Sequence, residues 1–319
     1  MALVPFNDLM AAAEEGRYAV GYFESWNMES LLAIADAAEA TRSPVILGFS
    51  GIFLPHPDRL VKERLSIYAA LGLEICRGLT VPCCLLFNES PNVDWVLESI
   101  DLGFNLVMFS DEDLDLDDLA SNVGRVVEKA HPRGVAVEVE MTTLAGVSHE
   151  IASAPTEAHL DDPEAARAFV QRTGADALAV SIGQVHVHGR SQVRLNLSRL
   201  AELRGAVHVP LVLHGATSVY PPDIVEAIRL GIRKINVGSV LKRTYFETLR
   251  DASDRVGSHY SPYDVIGSGF PSDVLTVARC AMQERVEDLM RLFGSAGRAT
   301  VTGRPAAASH GFAGSKMYG

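Results

Sequence analysis

Short apolar segments alternate with longer segments of helical periodicity along most of this chain. Eight of the short segments have the length of β-strands, and most are apolar throughout instead of alternating apolar with polar residues. Strands of this kind are covered on both faces, as in parallel sheets. The eight predicted strands are Tyr18–Phe23, Val45–Phe49, Cys83–Phe87, Leu106–Phe109, Val135–Met141, Ala177–Ile182, Leu211–Leu213 and Lys234–Val237.

The segments that connect these strands predict helices. One begins with the sequence Asp162-Pro163-Glu164, which supplies an N-cap, a proline at the first helical position and an acid in the first turn. The other predicted helices are Met28–Ala40, Asp58–Arg77, Val93–Leu102, Leu114–Ala130, Pro222–Leu230, Val240–Arg255 and Pro271–Phe293.

The order of these elements predicts an α/β fold, specifically a (β/α)₈ TIM barrel with an extra C-terminal helix. About eight strand–helix units in roughly 240 residues match the size and count of that barrel. A doubly wound open sheet is the alternative. Since no low-complexity linker divides the chain, we expect a single domain over residues 1–298, followed by a flexible tail over residues 299–319.

Composition restricts the partners and the cellular compartment. The formal net charge of −12 argues against a nucleic acid or an anionic membrane as the main partner. The N-terminus lacks the pattern of a signal peptide, and no apolar run reaches about 18 residues. The adjacent Cys83 and Cys84 lie in an apolar run, which is typical of reduced thiols in a core. We therefore expect a cytoplasmic protein.

Polar residues gather where the predicted strands end. In a barrel, these ends converge on one site whatever their separation in sequence. Imidazoles and carboxylates together suggest a divalent metal, above all Zn²⁺. The polar residues in or just after the strands are Ser50, Asn88, Glu89, Ser110, Asp111, Glu112, Glu138, Glu140, His186, His188, His214, Asn236 and Ser239.

The histidines carry most of the metal hypothesis. A single histidine at a strand end is more often a structural hydrogen-bonding group, but three at neighbouring strand ends favour metal binding. His186 and His188 are two residues apart, so an extended backbone would point both to one side, and either could be the ligand. His214 ends its strand alone.

Small residues follow the last two strands and suggest a phosphate site. Loops after the seventh and eighth strands are the common phosphate site of such barrels, where free backbone N–H groups point at the ligand. Ordinary strand-to-helix turns are the alternative interpretation. The residues concerned are Gly215, Thr217, Asn236, Gly238 and Ser239.

Taken in order, several segments resemble the class II, metal-dependent fructose- and tagatose-bisphosphate aldolase family. The resemblance extends from Tyr18 to Arg298. It implies a (β/α)₈ barrel, a catalytic Zn²⁺ or other divalent metal, and reversible cleavage of a ketose phosphate with dihydroxyacetone phosphate as one product. The resembling segments are Ser43–Leu47, Asp162–Glu164, Leu178–Gly183, Val209–Ala216, Lys234–Val237 and Gly294–Arg298.

The resemblance also implies roles for individual residues. His214 and His186 match zinc ligands, while His188 matches one only if two residues are inserted. Glu140 matches an acidic residue near the metal. The residues that match or flank substrate- and phosphate-binding positions are Ser50, Gly183, Gly189, Gly215, Thr217, Asn236, Gly238 and Ser239.

The chain departs from the family pattern after the third strand. Where the family has an aspartate that moves a proton and a histidine that binds zinc, this chain has Asn88 and Glu89. A carboxamide is not a useful general acid near pH 7, so Asn88 changes the catalytic position. Glu89 could still bind the metal through oxygen. In the loop where the family carries a catalytic glutamate, His149 and Glu150 are the candidates for proton transfer.

These observations favour a metal-dependent aldolase with an atypical acceptor aldehyde, acting on a small phosphorylated sugar or ketose. Two alternatives remain open. One is a catalytically weak homologue that serves as a binding or partner subunit. The other is a different metal-dependent lyase or isomerase on the same barrel, including one for an unphosphorylated substrate, since the fold does not fix the reaction. The family also implies a homodimer or homotetramer.

Overall fold

Eight parallel strands close into a barrel, which confirms the predicted architecture. The structure is a computed structural model that describes residues 2–142, 144, 160–185 and 192–299. Each strand pairs with its neighbours in chain order, and β1 also pairs with β8. The strands are β1 Val20–Ser25, β2 Val45–Ser50, β3 Cys83–Ser90, β4 Leu106–Phe109, β5 Ala136–Glu140, β6 Ala177–Ala179, β7 Leu211–Leu213 and β8 Ile232–Val237.

Helices follow the strands and surround the barrel. The described α-helices are α1 Phe6–Gly16, α2 Met28–Thr41, α3 Leu65–Gly78, α4 Val93–Asp101, α5 Leu116–Ala130, α6 Pro163–Thr173, α7 Leu197–Ala206, α8 Pro221–Leu230, α9 Ser239–Asp254, α10 Pro262–Val265 and α11 Val274–Leu292. None of these helices has the length and apolar character that crossing a bilayer requires.

The helical predictions need correction at the helix over Asp58–Arg77 and at three helices that were not predicted, α1, α7 and α10. The helix predicted over Asp58–Arg77 begins only at Leu65, because the residues before it have no core to pack against: Leu60 is 99% exposed. The helix α7 was not predicted, although Asn196 caps its N-terminus by accepting a hydrogen bond from the Arg199 N–H. Its apolar face is narrow, with two buried leucines, so its periodicity is weak.

The barrel has two separate cores. The larger core lies between the strands and the surrounding helices. The smaller core lies inside the barrel, and α1 covers its base by inserting Phe6 and Met10. Since side chains alternate along a strand, every second residue faces this interior. The interior is apolar near the base and polar near the mouth, as Val20 and Tyr22 followed by Glu24 illustrate in β1.

The predicted C-terminal helix is confirmed as α11, which packs against α2 and α9. Asp273 caps its start by accepting a hydrogen bond from the Leu275 N–H. At its end, Phe293 stacks on Phe23 with ring centroids 6.3 Å apart. The helix therefore fixes the β1 side of the barrel. Of the predicted tail, only residue 299 lies within the described residues.

Candidate active site

A buried ion pair lies below the barrel mouth. The Lys234 Nζ of β8 lies 2.7 Å from Glu138 Oε2 of β5, and both side chains are fully buried. Burial would raise the pKa of Glu138, but the charges of Lys234 and His214 outweigh burial and hold that pKa below its usual value. The carboxylate therefore stays charged, with its partners fixed in place.

This ion pair orients His214, the residue just after β7. The His214 Nε2 lies 2.9 Å from Glu138 Oε1, so it donates a hydrogen bond to that carboxylate. Asn236 packs against the ring from β8: its Nδ2 lies 2.8 Å from the same nitrogen, a contact between two donors and not a hydrogen bond, and its Oδ1 accepts a hydrogen bond from Lys234. The remaining nitrogen, Nδ1, is thereby directed to the opposite side, towards Glu89.

Two carboxylates meet this nitrogen at the mouth. Glu89 Oε1 lies 2.9 Å from His214 Nδ1, and Glu140 Oε2 lies 3.8 Å from it. One ligand atom from each of the three residues falls within 4.8 Å of the others. Ser110 donates a hydrogen bond to the second oxygen of Glu140. We call Glu89, Glu140 and His214 the carboxylate–histidine cluster.

The charges in the carboxylate–histidine cluster are poorly balanced without a cation. Burial, together with the charge of Glu89, raises the pKa of Glu140 to about 7, against the opposing charge of His214. Burial disfavours a charged imidazole, but Glu89 and Glu138 overcome it and raise the pKa of His214 to about 10. Protons therefore bind where the carboxylates crowd together. A divalent cation can replace them, since metal binding releases protons from its ligands.

The backbone at the end of β3 makes this arrangement possible. Consecutive side chains of a regular strand point to opposite faces, yet Asn88 and Glu89 both reach the mouth. The pairing with β4 shifts register between Phe87 and Ser90, and Glu89 has a φ of +50°. Such a conformation is strained for a side chain larger than glycine and is typical of functional sites. Asn88 donates a hydrogen bond of 2.7 Å to Glu89 and steadies it.

The predicted phosphate-binding residues lie around β6, β7 and β8. Gly183 and Gly215 both have positive φ, of +105° and +64°. Thr217 belongs to a 3₁₀ turn after β7, while Gly238 and Ser239 begin α9. Because β7 and β8 are adjacent, these two turns are neighbours at the mouth. Ser50 ends β2 beside Asn88 of β3.

Five predicted residues lie outside the described part of the chain: His149, Glu150, His186, His188 and Gly189.

Lys234 was not predicted as a site residue, although the sequence carries a signal for it. It lies two positions before Asn236 in a strand that is otherwise largely apolar, so both side chains face the barrel interior. A lysine inside a barrel requires a buried anion. Glu138 and Glu140 show the same spacing in β5.

Comparison with known proteins identifies the family of this barrel. The model of the family described as "Fructose-bisphosphate aldolase class-II" matches residues 4–298. The chain belongs to this family. The resemblance seen in the sequence is confirmed, and the chain is a class II aldolase-like lyase.

Individual class II aldolases match nearly the whole chain. A fructose-bisphosphate aldolase of Thermus caldophilus is 33% identical over 93% of this chain and 100% of its own length. One from Geobacillus stearothermophilus is 31% identical over 94% of this chain and 99% of its own length. The crystal structure of the YdjI aldolase from Escherichia coli K12 superposes with a TM-score of 0.76 at 28% identity, covering 93% of this chain and all of that one.

Class II aldolases are generally dependent on a divalent metal, and the carboxylate–histidine cluster fits one. It offers one imidazole nitrogen and two carboxylate oxygens, a donor set suited to Zn²⁺ and similar ions. Glu138 supports the imidazole from behind, as carboxylates commonly do for metal-binding histidines.

Proposed function

We propose that this chain is a metal-dependent aldolase that forms or cleaves a ketose phosphate, with dihydroxyacetone phosphate as one component and an atypical acceptor aldehyde. The observation that carries the proposal is the convergence of Glu89, Glu140 and His214 at the barrel mouth, with one ligand atom of each within 4.8 Å of the others. The turn after β7 directly follows His214, and β8, which carries the other turn proposed to hold the phosphate, pairs with β7.

Each residue of the cluster has a proposed role in holding the metal. Among the residues that the structure describes, Glu89 and the Nδ1 of His214 are the proposed metal ligands. Glu140 is the acidic group beside them. His186 or His188 would complete the set. When bound, a divalent cation supplies Lewis-acid catalysis by polarising the carbonyl of the ketose phosphate.

The proton-transfer groups are proposed separately. Asn88 occupies the position from which the family moves a proton, but a carboxamide can only orient a substrate oxygen by hydrogen bonding. Its Oδ1 lies 3.4 Å from Asn236 Nδ2, so the two amides form one polar surface. His149 or Glu150 is the proposed group that removes the substrate proton.

Backbone N–H groups are proposed to bind the phosphate. Gly215, Thr217, Gly238 and Ser239 supply the turns after β7 and β8, with Gly183 and Gly189 in the loop after β6. Turns of this kind bind phosphate through free N–H groups and the positive end of a helix. Ser50 is the proposed contact from β2.

Metal content and proton exchange test this proposal. Purified protein should hold about one zinc per chain, lose it to a chelator, and regain activity when zinc is restored. In D₂O, the zinc-loaded protein should exchange a proton at the hydroxymethyl carbon of dihydroxyacetone phosphate. Replacing His149 by Ala and Glu150 by Gln, one at a time, should identify which group performs the exchange.

The outcomes separate the alternatives. Binding of dihydroxyacetone phosphate without any proton exchange would favour a catalytically silent binding subunit. Failure of every phosphorylated ketose, with zinc bound, would favour a different lyase or isomerase. Protein that stays free of metal after zinc supplementation would contradict the proposal.

The assembly and compartment are also proposals. We propose a cytoplasmic homodimer or homotetramer, as the family resemblance implies. Light scattering coupled to gel filtration measures the mass directly, and a mass of about 34 kDa, that of one chain, would contradict an oligomer.

A further inference from the structure

Glu24 faces the same mouth as the carboxylate–histidine cluster. It follows Val20 and Tyr22 at alternate positions of β1, and those two belong to the core inside the barrel. The register of β1 with β8 pairs Phe23 with Val237, which places Glu24 beside Gly238. The Glu24 side chain is only 14% exposed. A carboxylate therefore lies at the β1 edge of the proposed substrate site.

This carboxylate contacts the start of α9 directly. A Cβ atom added to Gly238 would overlap Glu24 Oε2, so only glycine leaves room for the carboxylate. Gly238 is the N-cap of α9. The N-terminus of a helix attracts anions because its backbone N–H groups and dipole are positive. On the β1 side of this turn, the Glu24 carboxylate is the anion that lies next to the start of the helix.

Lys242 holds the carboxylate in place. Its Nζ lies 2.6 Å from Glu24 Oε1, one turn into α9. The same ammonium lies 4.5 Å from the centre of the Phe53 ring and 6.0 Å from that of Trp26. Lys242 is thus engaged by a carboxylate and two aromatic faces.

The turn after β7 has different surroundings. A Cβ atom added to Gly215 would lie 3.0 Å from the carbonyl oxygen of Val185 and 3.3 Å from Leu144. Those neighbours are a backbone carbonyl and an apolar side chain. On the β1 side, a phosphate would meet the Glu24 carboxylate and an ammonium that this carboxylate already engages, whereas no carboxylate is among the three atoms nearest to Gly215.

We propose that Glu24 restricts this active site to one phosphate. The turn after β7, with the part of the turn after β8 that lies on the β7 side, takes the phosphate of the dihydroxyacetone half. The β1 side, formed by Glu24, Lys242, Trp26 and Phe53, takes an uncharged, hydroxyl-bearing end of the acceptor. The substrate class is a ketose monophosphate, not a bisphosphate. The inference rests on the proposed aldolase function and specifies its atypical acceptor.

Binding of uncleavable analogues tests the inference without requiring catalysis. Calorimetry would compare hexitol 1-phosphate with hexitol 1,6-bisphosphate on the zinc-loaded protein. We expect the wild type to bind the monophosphate at least about tenfold more tightly, since the second phosphate would face the Glu24 carboxylate while the Lys242 ammonium is already paired with it. Glu24→Gln keeps the shape but removes the charge, and it should narrow that difference mainly by tightening bisphosphate binding.

Glu63→Gln is the matched control. Glu63 follows β2, at the same end of the barrel, and it pairs with Arg59, so the variant removes one negative charge without touching Gly238. It should leave the ratio of affinities unchanged. Equal wild-type affinities for both hexitols, no binding of either, or an unchanged ratio in Glu24→Gln would overturn the inference.

Cleavage assays separate this inference from the proposed function. Fructose 1-phosphate and fructose 1,6-bisphosphate would be offered to the zinc-loaded wild type. Cleavage of neither, with the binding preference intact, would contradict the aldolase proposal and leave the role of Glu24 standing. Cleavage of both with equal kcat/KM would support the aldolase and overturn the role of Glu24.

Discussion

Two layers of polar side chains lie inside the barrel, and their charges are arranged in opposite ways. In the lower layer, the carboxylate of Glu138 faces the ammonium of Lys234, and both are fully buried. In the upper layer, Glu89 and Glu140 approach the same nitrogen of His214. The lower layer compensates its own charge, while the upper layer gathers like charges.

From this difference we infer a supporting layer below and a proposed metal-binding layer above. The lower layer has its hydrogen-bond partners within the protein, so it fixes the His214 ring without needing a ligand. The upper layer holds protons between its carboxylates, and a divalent cation can replace them. Mutations in the lower layer should therefore mainly lower the free energy of unfolding, and mutations in the upper layer should mainly weaken metal binding.

Lys234→Met should have the largest effect and should act on stability. It leaves the Glu138 carboxylate buried beside His214 without its ammonium partner, and breaking a buried pair in this way costs about 3–5 kcal/mol. The measurement is the free energy of unfolding in urea. The double variant Lys234→Met/Glu138→Leu should recover much of the loss, because it removes both charges.

The exposed counterpart Lys242→Met is the control for that prediction. Its ion pair with Glu24 involves the same residue types, but the lysine side chain is 38% exposed. Such pairs contribute about 1 kcal/mol or less. Equal losses for Lys234→Met and Lys242→Met would mean that the lower layer does not have the structural role assigned to it.

Glu89→Gln should act on the upper layer and on metal binding. Loss of a charged ligand should weaken zinc affinity by about 100-fold or more, which corresponds to about 2.7 kcal/mol. The wild type should gain about 2.7 kcal/mol of stability from free zinc at 100 times its Kd, and the variant should gain much less at the same concentration. Stability of the metal-free variant should stay close to that of the wild type, because the lost contact with His214 is offset by relief of the repulsion from Glu140.

Glu112→Gln is the matched control for Glu89→Gln. Glu112 follows β4 at the same end of the barrel but is exposed and is not part of the carboxylate–histidine cluster. Its loss should leave zinc affinity unchanged. If both variants weakened zinc equally, the effect would be one of overall charge, and Glu89 would not be a ligand.

Much of this layout was predictable from sequence. The eight strands and the position of His214 at a strand end follow from apolar runs bounded by polar or small residues, and a barrel then brings the strand ends together. The upper layer was found because Glu140 and His214 stand at or just after such ends. Alternation along β8 places Lys234, two residues before Asn236, on the face towards the barrel interior, so Lys234 could have been predicted in the same way.

The remainder depends on backbone detail that periodicity does not encode. Regular alternation would place Asn88 and Glu89 on opposite faces. The register shift before Ser90 and the positive φ of Glu89 bring both to the mouth. Likewise, the approach of Glu24 to Gly238 depends on the register between β1 and β8, which are far apart in sequence. Sequence indicated the residues but not these contacts.

Asn236→Ala should show how strongly the two layers are coupled. Asn236 contacts His214 Nε2 and accepts a hydrogen bond from Lys234, so it belongs to the support of the imidazole. Loss of such support typically weakens metal binding by about 10–100-fold. Zinc titration by competition with a chelating dye gives the affinity, and urea unfolding gives the stability. A loss of stability with unchanged zinc affinity would show that Asn236 supports the fold and not the metal ligand.

Ser110→Ala should have the smallest effect, and it falls on the upper layer alone. The Ser110 hydroxyl donates a hydrogen bond to Glu140 and favours its charged form. Removing one such bond costs about 0.5–1.5 kcal/mol, or roughly a tenfold change at most. Because the charged carboxylate is the form that would bind a divalent cation, the loss should appear as weaker zinc binding, more pronounced at low pH. Stability of the metal-free protein should change less, since a protonated Glu140 is then tolerated. A larger loss of metal-free stability than of zinc affinity would place Ser110 with the supporting layer instead.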